Sequence, residues 1–527
     1  MLWTQTVWMQ CLFVLGLTSG CGDKSGSSKP GGGDTDVSSA ADSTAQEVVA
    51  PDSQVATDSQ DSAGADDEQL ADDIGSATLG ASQIGIGRAH DPAWVTHLGG
   101  AGDDQGEGLA VLGDAIYIGG DTSSSWLGTF ADPCTATGDH EGEDCADAFL
   151  YNATTGIGIQ FGGPASDSIK SLAATDDALY VASKYREGPA GNYQTDAVAL
   201  KYSLDLQTRE WEVTIRNAGK VDEFLSIVSD GDVFAAGGSA GKVGSDPKLG
   251  DEDMVVMRIT PAGTTTAVEQ LGSQKFEEMM GVAADADGVY AVGQTSAGLD
   301  DDPGGFIGGA TDAFLVIMDR SLDSAKEVCR VQIGTKLRDV AQTVVVLGDF
   351  VYLGGYTEGV MNGQHPDGAA CNQDSFPPTD DFKNDAWIAK YDKTCQHVWT
   401  RQFGTKDGDA ASKIATDGQR LFVTGIYGSA TVSHGGTSSS THAFVRAYDL
   451  DGNVLGEVSF DSSLDGAGGL DIGQSVAVDA TYVYVTGSTG GTLGEPGSSL
   501  GGRDVFFAKI PIAELTSGVA TTGTGCP

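Results

Sequence analysis

One pattern recurs seven times between residues 94 and 511, and a chain that repeats itself builds its core by stacking the copies. The clearest element is an apolar run ending near Gly: AIYIGGDT (115–122), ALYVASKY (178–185), DVFAAGGS (232–239), GVYAVGQT (288–295), FVYLGGYT (350–357), RLFVTGIY (420–427) and YVYVTGST (482–489). Its central ring is Tyr117, Tyr180, Phe234, Tyr290, Tyr352, Phe422 or Tyr484, recurring every 54–70 residues. A second run follows each time and opens on Asp147, Asp196, Asp253, Asp312, Asp385 or Asp504, with His442 in the remaining unit. A third precedes each ring-bearing run, as in WVTHLGG (94–100), WTRQFGT (399–405) and VLGEVSF (454–460). Between third and first lies a fourth, such as GEGLAVLG (106–113) or GQSVAVDA (473–480).

All four runs are short, rich in β-branched and aromatic residues, and bounded by Gly, Asp or Asn, so they read as strands. No long 3.6-residue period interrupts them. Four strands per unit and seven units predict an all-β fold, a seven-bladed β-propeller. The ring-bearing runs are apolar at successive positions, as a strand buried on both faces requires. The first strand, 94–100, is of the third type, and the last, 504–510, is of the second type. The N-terminal strand therefore completes the final blade, which removes two open edges.

The combination W-x-x-x-F-G-G/T, D-x-x-x-(A/S)-x-x-x-D, V-Y-V-T-G-x-T and D-A-F-x-A-K-Y-D resembles the SBBP (seven-bladed β-propeller) repeats of bacterial surface and secreted proteins. The best copy runs from Trp399, Phe403 and Gly404 through Thr424 and Gly425; the next has Val483–Gly487 with Asp504–Lys509. The resemblance spans about residues 93–511. It implies the fold and an extracytoplasmic setting but no activity, because propellers host unrelated functions. Kelch repeats fit less well: double glycines follow the strand only at 119–120, 237–238 and 354–355, and the period exceeds kelch's ~50 residues. WD40 repeats have no support, since the G-H…W-D spacing is absent.

The chain ends carry an address. Residues 7–17, VWMQCLFVLGL, have the length of a signal-peptide apolar core, and TSG–Cys21 follows. That junction resembles the lipobox of bacterial lipoproteins. It implies a signal of residues 1–21, lipidation of Cys21 and a membrane anchor; without lipidation the chain is secreted. Gly22 after the Cys implies sorting to the outer membrane. Residues 22–90 hold no aromatic residue and are dominated by Ser, Asp, Ala and Gly. Such a segment buries too little apolar surface to fold, so it reads as a disordered, acidic tether. The propeller then occupies 91–515, and 516–527 is a flexible tail. Across all 527 residues the net charge is −46, which excludes nucleic acid and argues against docking on anionic lipid through basic patches.

Loop length is the best pointer to function. The connections from the ring-bearing strand to the Asp-led strand span 123–146, 186–195, 240–252, 296–311, 358–384, 428–441 and 490–503. In a propeller they emerge on one face, where binding residues concentrate. They carry Trp126, Phe130, Tyr193, Phe306, His365, Phe376 and the acids Asp300, Asp301 and Asp302. The recurring Asp at the second run reads as structural, its carboxylate accepting turn N–H groups, and His442 reads as a drifted turn residue. Asp300–Asp302 is a weak candidate for Ca²⁺. Asp449-Leu450-Asp451-Gly452-Asn453 opens like a calcium loop but reads better as a β-turn. No H-E-x-x-H or close His pair supports zinc. Gly237-Gly238-Ser239-Ala240-Gly241 matches G-x-S-x-G, but it closes a strand and lacks the helix a nucleophile elbow needs. No catalytic residue and no cofactor is nominated.

The eight cysteines divide by position. Cys11 leaves with the signal. Cys134 and Cys145 share one loop and are the best disulfide pair in an oxidising envelope. Cys371 and Cys395 flank one strand and form a second candidate pair. Cys329 reads as a buried free thiol and Cys526 as an odd thiol in the tail. Together these features predict an envelope-anchored, non-catalytic recognition or scaffold propeller that binds a protein or polysaccharide on its long-loop face. The alternatives are a hydrolase or lyase working at the central channel, and a passive structural component without a small ligand.

Overall fold

The seven ring-bearing runs occupy the second strand of seven antiparallel four-stranded sheets, where both faces are covered. The computed structural model describes residues 94–127, 146–163, 166–187, 194–244, 250–299, 305–361, 384–405, 408–433, 436–462, 469–493 and 500–516. Internal contacts divide the chain into Met1–Asp73 and Ile74–Pro527, and every described residue lies in the second unit. The signal, the tether, Cys11, Cys21 and Cys526 lie outside the described residues, as do Phe130, Cys134, Cys145, Tyr193, Asp300–Asp302, His365, Cys371 and Phe376.

Six blades follow the chain: β2–β5 (Asp104–Phe161), β6–β9 (Ser168–Ile215), β10–β13 (Asp222–Leu271), β14–β17 (Glu277–Ile333), β18–β21 (Asp339–Phe403) and β22–β25 (Ala410–Phe460). The seventh joins β26–β28 (Asp471–Pro511) to β1 (Trp94–Leu98), in the order β1-β28-β27-β26. The N-terminal strand thus closes the last blade, with Trp94 opposite Lys509 and Leu98 opposite Val505. Helix is scarce: one turn at Ser324–Lys326 and α1 (Ile512–Thr516) are the helical elements that lie wholly within the described residues. Ile512 and Leu515 of α1 are buried in the core between blades 6 and 7.

The core is not one mass. Seven apolar clusters sit between successive blades, the last joining blade 7 to blade 1 through Tyr484, Val505 and Phe507 against Ile116, Ile118 and Phe149. All seven recurring rings are buried in these clusters. Each inner strand lies against the next around the axis, and β26 returns to β2. Backbone hydrogen bonds also cross the blade boundaries. The N–H of Asp104, Asp167, Glu277, Asp339 and Asp409 reaches the carbonyl just before the third strand of the preceding blade, at Arg503, Ala146, Glu252, Thr311 and Asn384.

Two expectations are corrected. Cys395 is joined to Cys329, not to Cys371, and Cys329 is therefore not a free thiol. Cys329 begins the outer strand of blade 4, whereas Cys395 sits in the last turn of blade 5. The blades stand side by side, so positions 66 residues apart come to 6.1 Å between Cα atoms. The second correction concerns 428–441, expected as a loop. Here β23 (Arg420–Ser433) and β24 (Gly436–Asp449) stay paired out to Ser433 opposite Gly436. Thr431, Val432, Thr437 and Thr441 are β-branched and no Pro interrupts either arm, so both continue as strand.

Candidate functional site

Two rings of acids build the face from which the long connections leave. The inner ring opens each first strand. Asp104, Asp167, Asp222, Glu277, Asp339, Asp409 and Asp471 each accept a backbone N–H from the turn that enters the blade, at Gly100, Gly163, Asn217, Ser273, Thr335, Thr405 and Ser462. Hydroxyls ending the second strand, of Ser239, Thr295, Thr357 and Thr489, donate to the same carboxylates in their blades. Burial pushes these carboxyls up, Asp104 to about 6 and Asp339 to about 7, with Asp222, Glu277, Asp409 and Asp471 also raised.

The outer ring is the recurring Asp of the third strand. Asp147, Asp253, Asp312 and Asp385 accept from Gln160, Gln270, Gln332 and Gln402 of the outer strand at 2.9, 2.9, 2.7 and 2.6 Å. Each glutamine also accepts a backbone N–H of the long connection, from Leu127, Val243, Leu299 or Met361. Its Nε2 donates back to a carbonyl there, at Ser124, Gly241, Ala297 or Gly359. The Asp is therefore a brace holding the root of the long connection. Arg216 takes the glutamine's place on Asp196, and His97 takes it on Asp504 at 3.1 Å. Blade 6 inverts the pair: His442 stands on the third strand and faces Asp461 at 3.4 Å. Sequence reading found the Asp and missed the Gln. Its signal was there, as Q-F, Q-L, Q-I and Q-F in four of the third-type runs.

Every inner strand also carries a β-bulge, at Glu107, Lys170, Leu225, Met280, Gln342, Ser412 and Gln474. Each bulged residue is half-buried and lies between buried neighbours, except Ser412, whose neighbour Lys413 is half-buried too. A bulge re-aims a side chain, here at the wall of the axial channel. Glu107 and Lys170 meet across the first blade boundary at 2.5 and 2.6 Å. The second halves of the inner strands are largely small or apolar, as in SLAA (171–174), whereas Glu107, Lys170, Glu223 and Glu278 lie in the first halves.

Around the channel mouth the seven blades differ. Blades 1 to 4 form a polar arc. Asp121, at the end of the second strand of blade 1, has its carboxyl pushed up to about 8, first by burial and then by the Glu107 carboxylate. Lys170 is held above its ordinary value because Glu107 and Asp121 outweigh its burial. Lys184 lies 3.6 Å from Glu223. Glu223, Glu252 and Glu278 are all buried, with carboxylate oxygens within 4.8 Å of one another. Burial, then Glu223, pushes Glu278 up to about 8, and Gln294 Nε2 donates to it at 3.1 Å. Blades 5 and 6 continue the mouth with Val340, Tyr356, Ala410 and Ile426, packed with Met280. The arc can hold cations and donate protons; the opposite side presents an apolar wall.

Other nominated residues take structural places. Trp126 packs on Phe149 and Tyr151 at 5.0 and 5.5 Å between ring centres, and Phe306 is half-buried. Asp449 accepts the N–H of Asp451 and of Asn453, so the calcium-like segment is a turn. Ser239 is buried and donates to Asp222, not to a histidine.

No family model matches this chain, and no curated protein matches it. Solved structures similar to it are diverse. Drosophila Semaphorin 2a aligns at 9% identity and a TM-score of 0.40, covering 79% of this chain and 75% of that one. The β-propeller domain of Myceliophteria thermophila Cps50 (Swd1) aligns at 11% identity and 0.35, covering 75% and 95%. The computationally designed Ika8 protein aligns at 10% identity and 0.35, covering 78% and 98%. At these identities and TM-scores the likeness carries neither family nor activity to this chain.

Proposed function

We propose that this chain is an SBBP-type envelope lipoprotein whose propeller is a non-catalytic recognition head for a protein partner, docked at the channel mouth on the long-loop face. One observation carries the reading: seven blades share one braced frame and diverge at one face. Turns on the opposite face are short, as between Leu112 and Ala115, whereas the long-loop connections run from the ribbon of β23 and β24 to the stretch 358–384. A rigid frame with variable loops on one side is how scaffolds carry binding residues. The acidic arc and the charge of −46 favour a partner presenting Lys and Arg, with affinity that falls as salt rises. Cys21 anchors the head and residues 22–90 hold it away from the membrane.

Site-specific photo-cross-linking in the native envelope tests this. A cross-linker at Thr431 on the ribbon is expected to trap one discrete partner, and one at Asp205 on the opposite face is expected to trap none. Equal trapping from both faces, or from Asp205 alone, overturns the reading. Trapping of glycan replaces the protein by a polysaccharide. Turnover of peptide or glycan that Asp121→Asn abolishes replaces recognition by catalysis. Cys21→Ser is expected to release the chain from the membrane fraction.

A further inference from the structure

The seven blades can be read against one another, and blade 3 departs from the others at two matched positions. The residue opposite the position that follows the inner-ring acid is Asp121, Lys184, Gln294, Tyr356, Ile426 or Ser488 in six blades. In blade 3 it is Gly238, opposite Glu223. The residue before the recurring Asp or His of the third strand is Ala146, Thr195, Thr311, Asn384, Thr441 or Arg503 elsewhere, and Glu252 in blade 3. The two departures fit together: a Cβ on Gly238 would collide with Glu252 Oε1, so the missing side chain is what admits the third carboxylate.

The result is Glu223, Glu252 and Glu278 converging from two blades, each at most 5% exposed. A second observation points to a ligand. Gln294 is 8% exposed, and its Nε2 anchors the amide on Glu278 Oε2. The Oε1 of that same amide is buried and accepts no hydrogen bond from any described residue. A buried amide oxygen without a donor is costly, by roughly 1–3 kcal/mol. Beside the Glu278 carboxylate, a cation satisfies it where another acceptor cannot.

We propose that Glu223, Glu252, Glu278 and Gln294 Oε1 form a divalent cation site at the boundary of blades 3 and 4. The donors are all oxygen and three are carboxylates, which selects a hard cation and excludes thiophilic metals. Mg²⁺ keeps most of its water and is usually held by one or two carboxylates, whereas Ca²⁺ takes six to eight oxygens in flexible geometry. Ca²⁺ is therefore the preferred ion. It would neutralise the glutamates and tie the inner strand of blade 3 to that of blade 4. The site is distinct from Asp300–Asp302 and from the turn at Asp449.

The test uses the full chain, freed of metal with EDTA and dialysed. Equilibrium dialysis against ⁴⁵Ca²⁺ at 0.15 M salt is expected to give one saturable site per chain, with Mg²⁺ competing at least tenfold more weakly. Ca²⁺ is expected to raise the melting temperature of the parent. Glu252→Gln and Gln294→Leu are each expected to weaken binding at least tenfold and to abolish that rise. The triple variant Asp300→Asn, Asp301→Asn, Asp302→Asn should bind like the parent. If Glu252→Gln fails to fold, Gly238→Ala displaces the same carboxylate and reads the same loss. Absence of a saturable site overturns the proposal, as does binding that survives Glu252→Gln, or binding lost in the triple variant.

Discussion

At the scale of single residues, the working unit of this propeller is the Asp–Gln brace. In blade 5, Gln402 is buried, donates to Asp385 and to Gly359 O, and accepts the N–H of Met361. One side chain thus satisfies three groups at the root of the long connection 358–384. Removing it strands all three, and unmade hydrogen bonds on buried groups are worth about 1–3 kcal/mol each before relaxation. Gln402→Ala is expected to lower unfolding stability by about 2–4 kcal/mol in urea melts, against less than about 0.5 kcal/mol for the exposed Gln207→Ala. Equal midpoints for the two variants would show that the brace does not hold the connection. The Asp half of the pair is legible in the sequence because it sits at a fixed place in each copy. The Gln half is obscured by Arg216, His97 and the inverted His442–Asp461 pair, since several donors meet the same geometric need.

At the scale of strands and turns, sheet edges decide what meets what. The outer strand of blade 4 and the last turn of blade 5 are neighbours only because blades stack, and that places Cys329 against Cys395. A crosslink closing 66 residues removes unfolded-chain entropy equivalent to about 4 kcal/mol in the loop-closure picture, of which natural disulfides commonly deliver 2–4. Replacing both cysteines by Ala is expected to lower stability by about 2–4 kcal/mol, and dithiothreitol should destabilise the parent but not the double variant. A parent indifferent to reductant would place the bridge outside the native state. Pairing by proximity along the chain failed here because Cys371 and Cys395 are close in sequence, whereas the blade boundary is what sets distance.

At the scale of the whole molecule, the ring of inner-strand acids makes stability depend on pH. Burial raises Asp104 to about 6 and Asp339 to about 7, and raises Asp222, Glu277, Asp409 and Asp471 as well. In the unfolded chain these groups titrate near 4. The folded state therefore holds more protons between about pH 4 and 7, and linkage makes stability fall as pH rises through that window. Repulsion within a chain of charge −46 acts in the same direction. Turn acids held low by hydrogen bonds, such as Asp392, act oppositely but only below about pH 4. The melting temperature is expected to drop by at least about 3 °C between pH 5 and pH 8 at fixed ionic strength, with a shallower slope for Asp339→Asn. A flat or rising profile would mean that the ring is ionised and compensated throughout.

The sequence by itself determined the blade count, the four strands of each blade and the closing of blade 7 by β1. Those follow from periodicity, since a repeated apolar pattern has few ways to bury itself and one register that leaves no open edge. Only the tertiary structure decided the partner of Cys395, the bulges that turn Glu107 and Lys170 toward the channel, and the meeting of Glu223, Glu252 and Glu278. Those depend on how strands and blades pack, and the sequence does not display them because the residues concerned lie 26 to 66 residues apart and carry side chains in which the repeats differ.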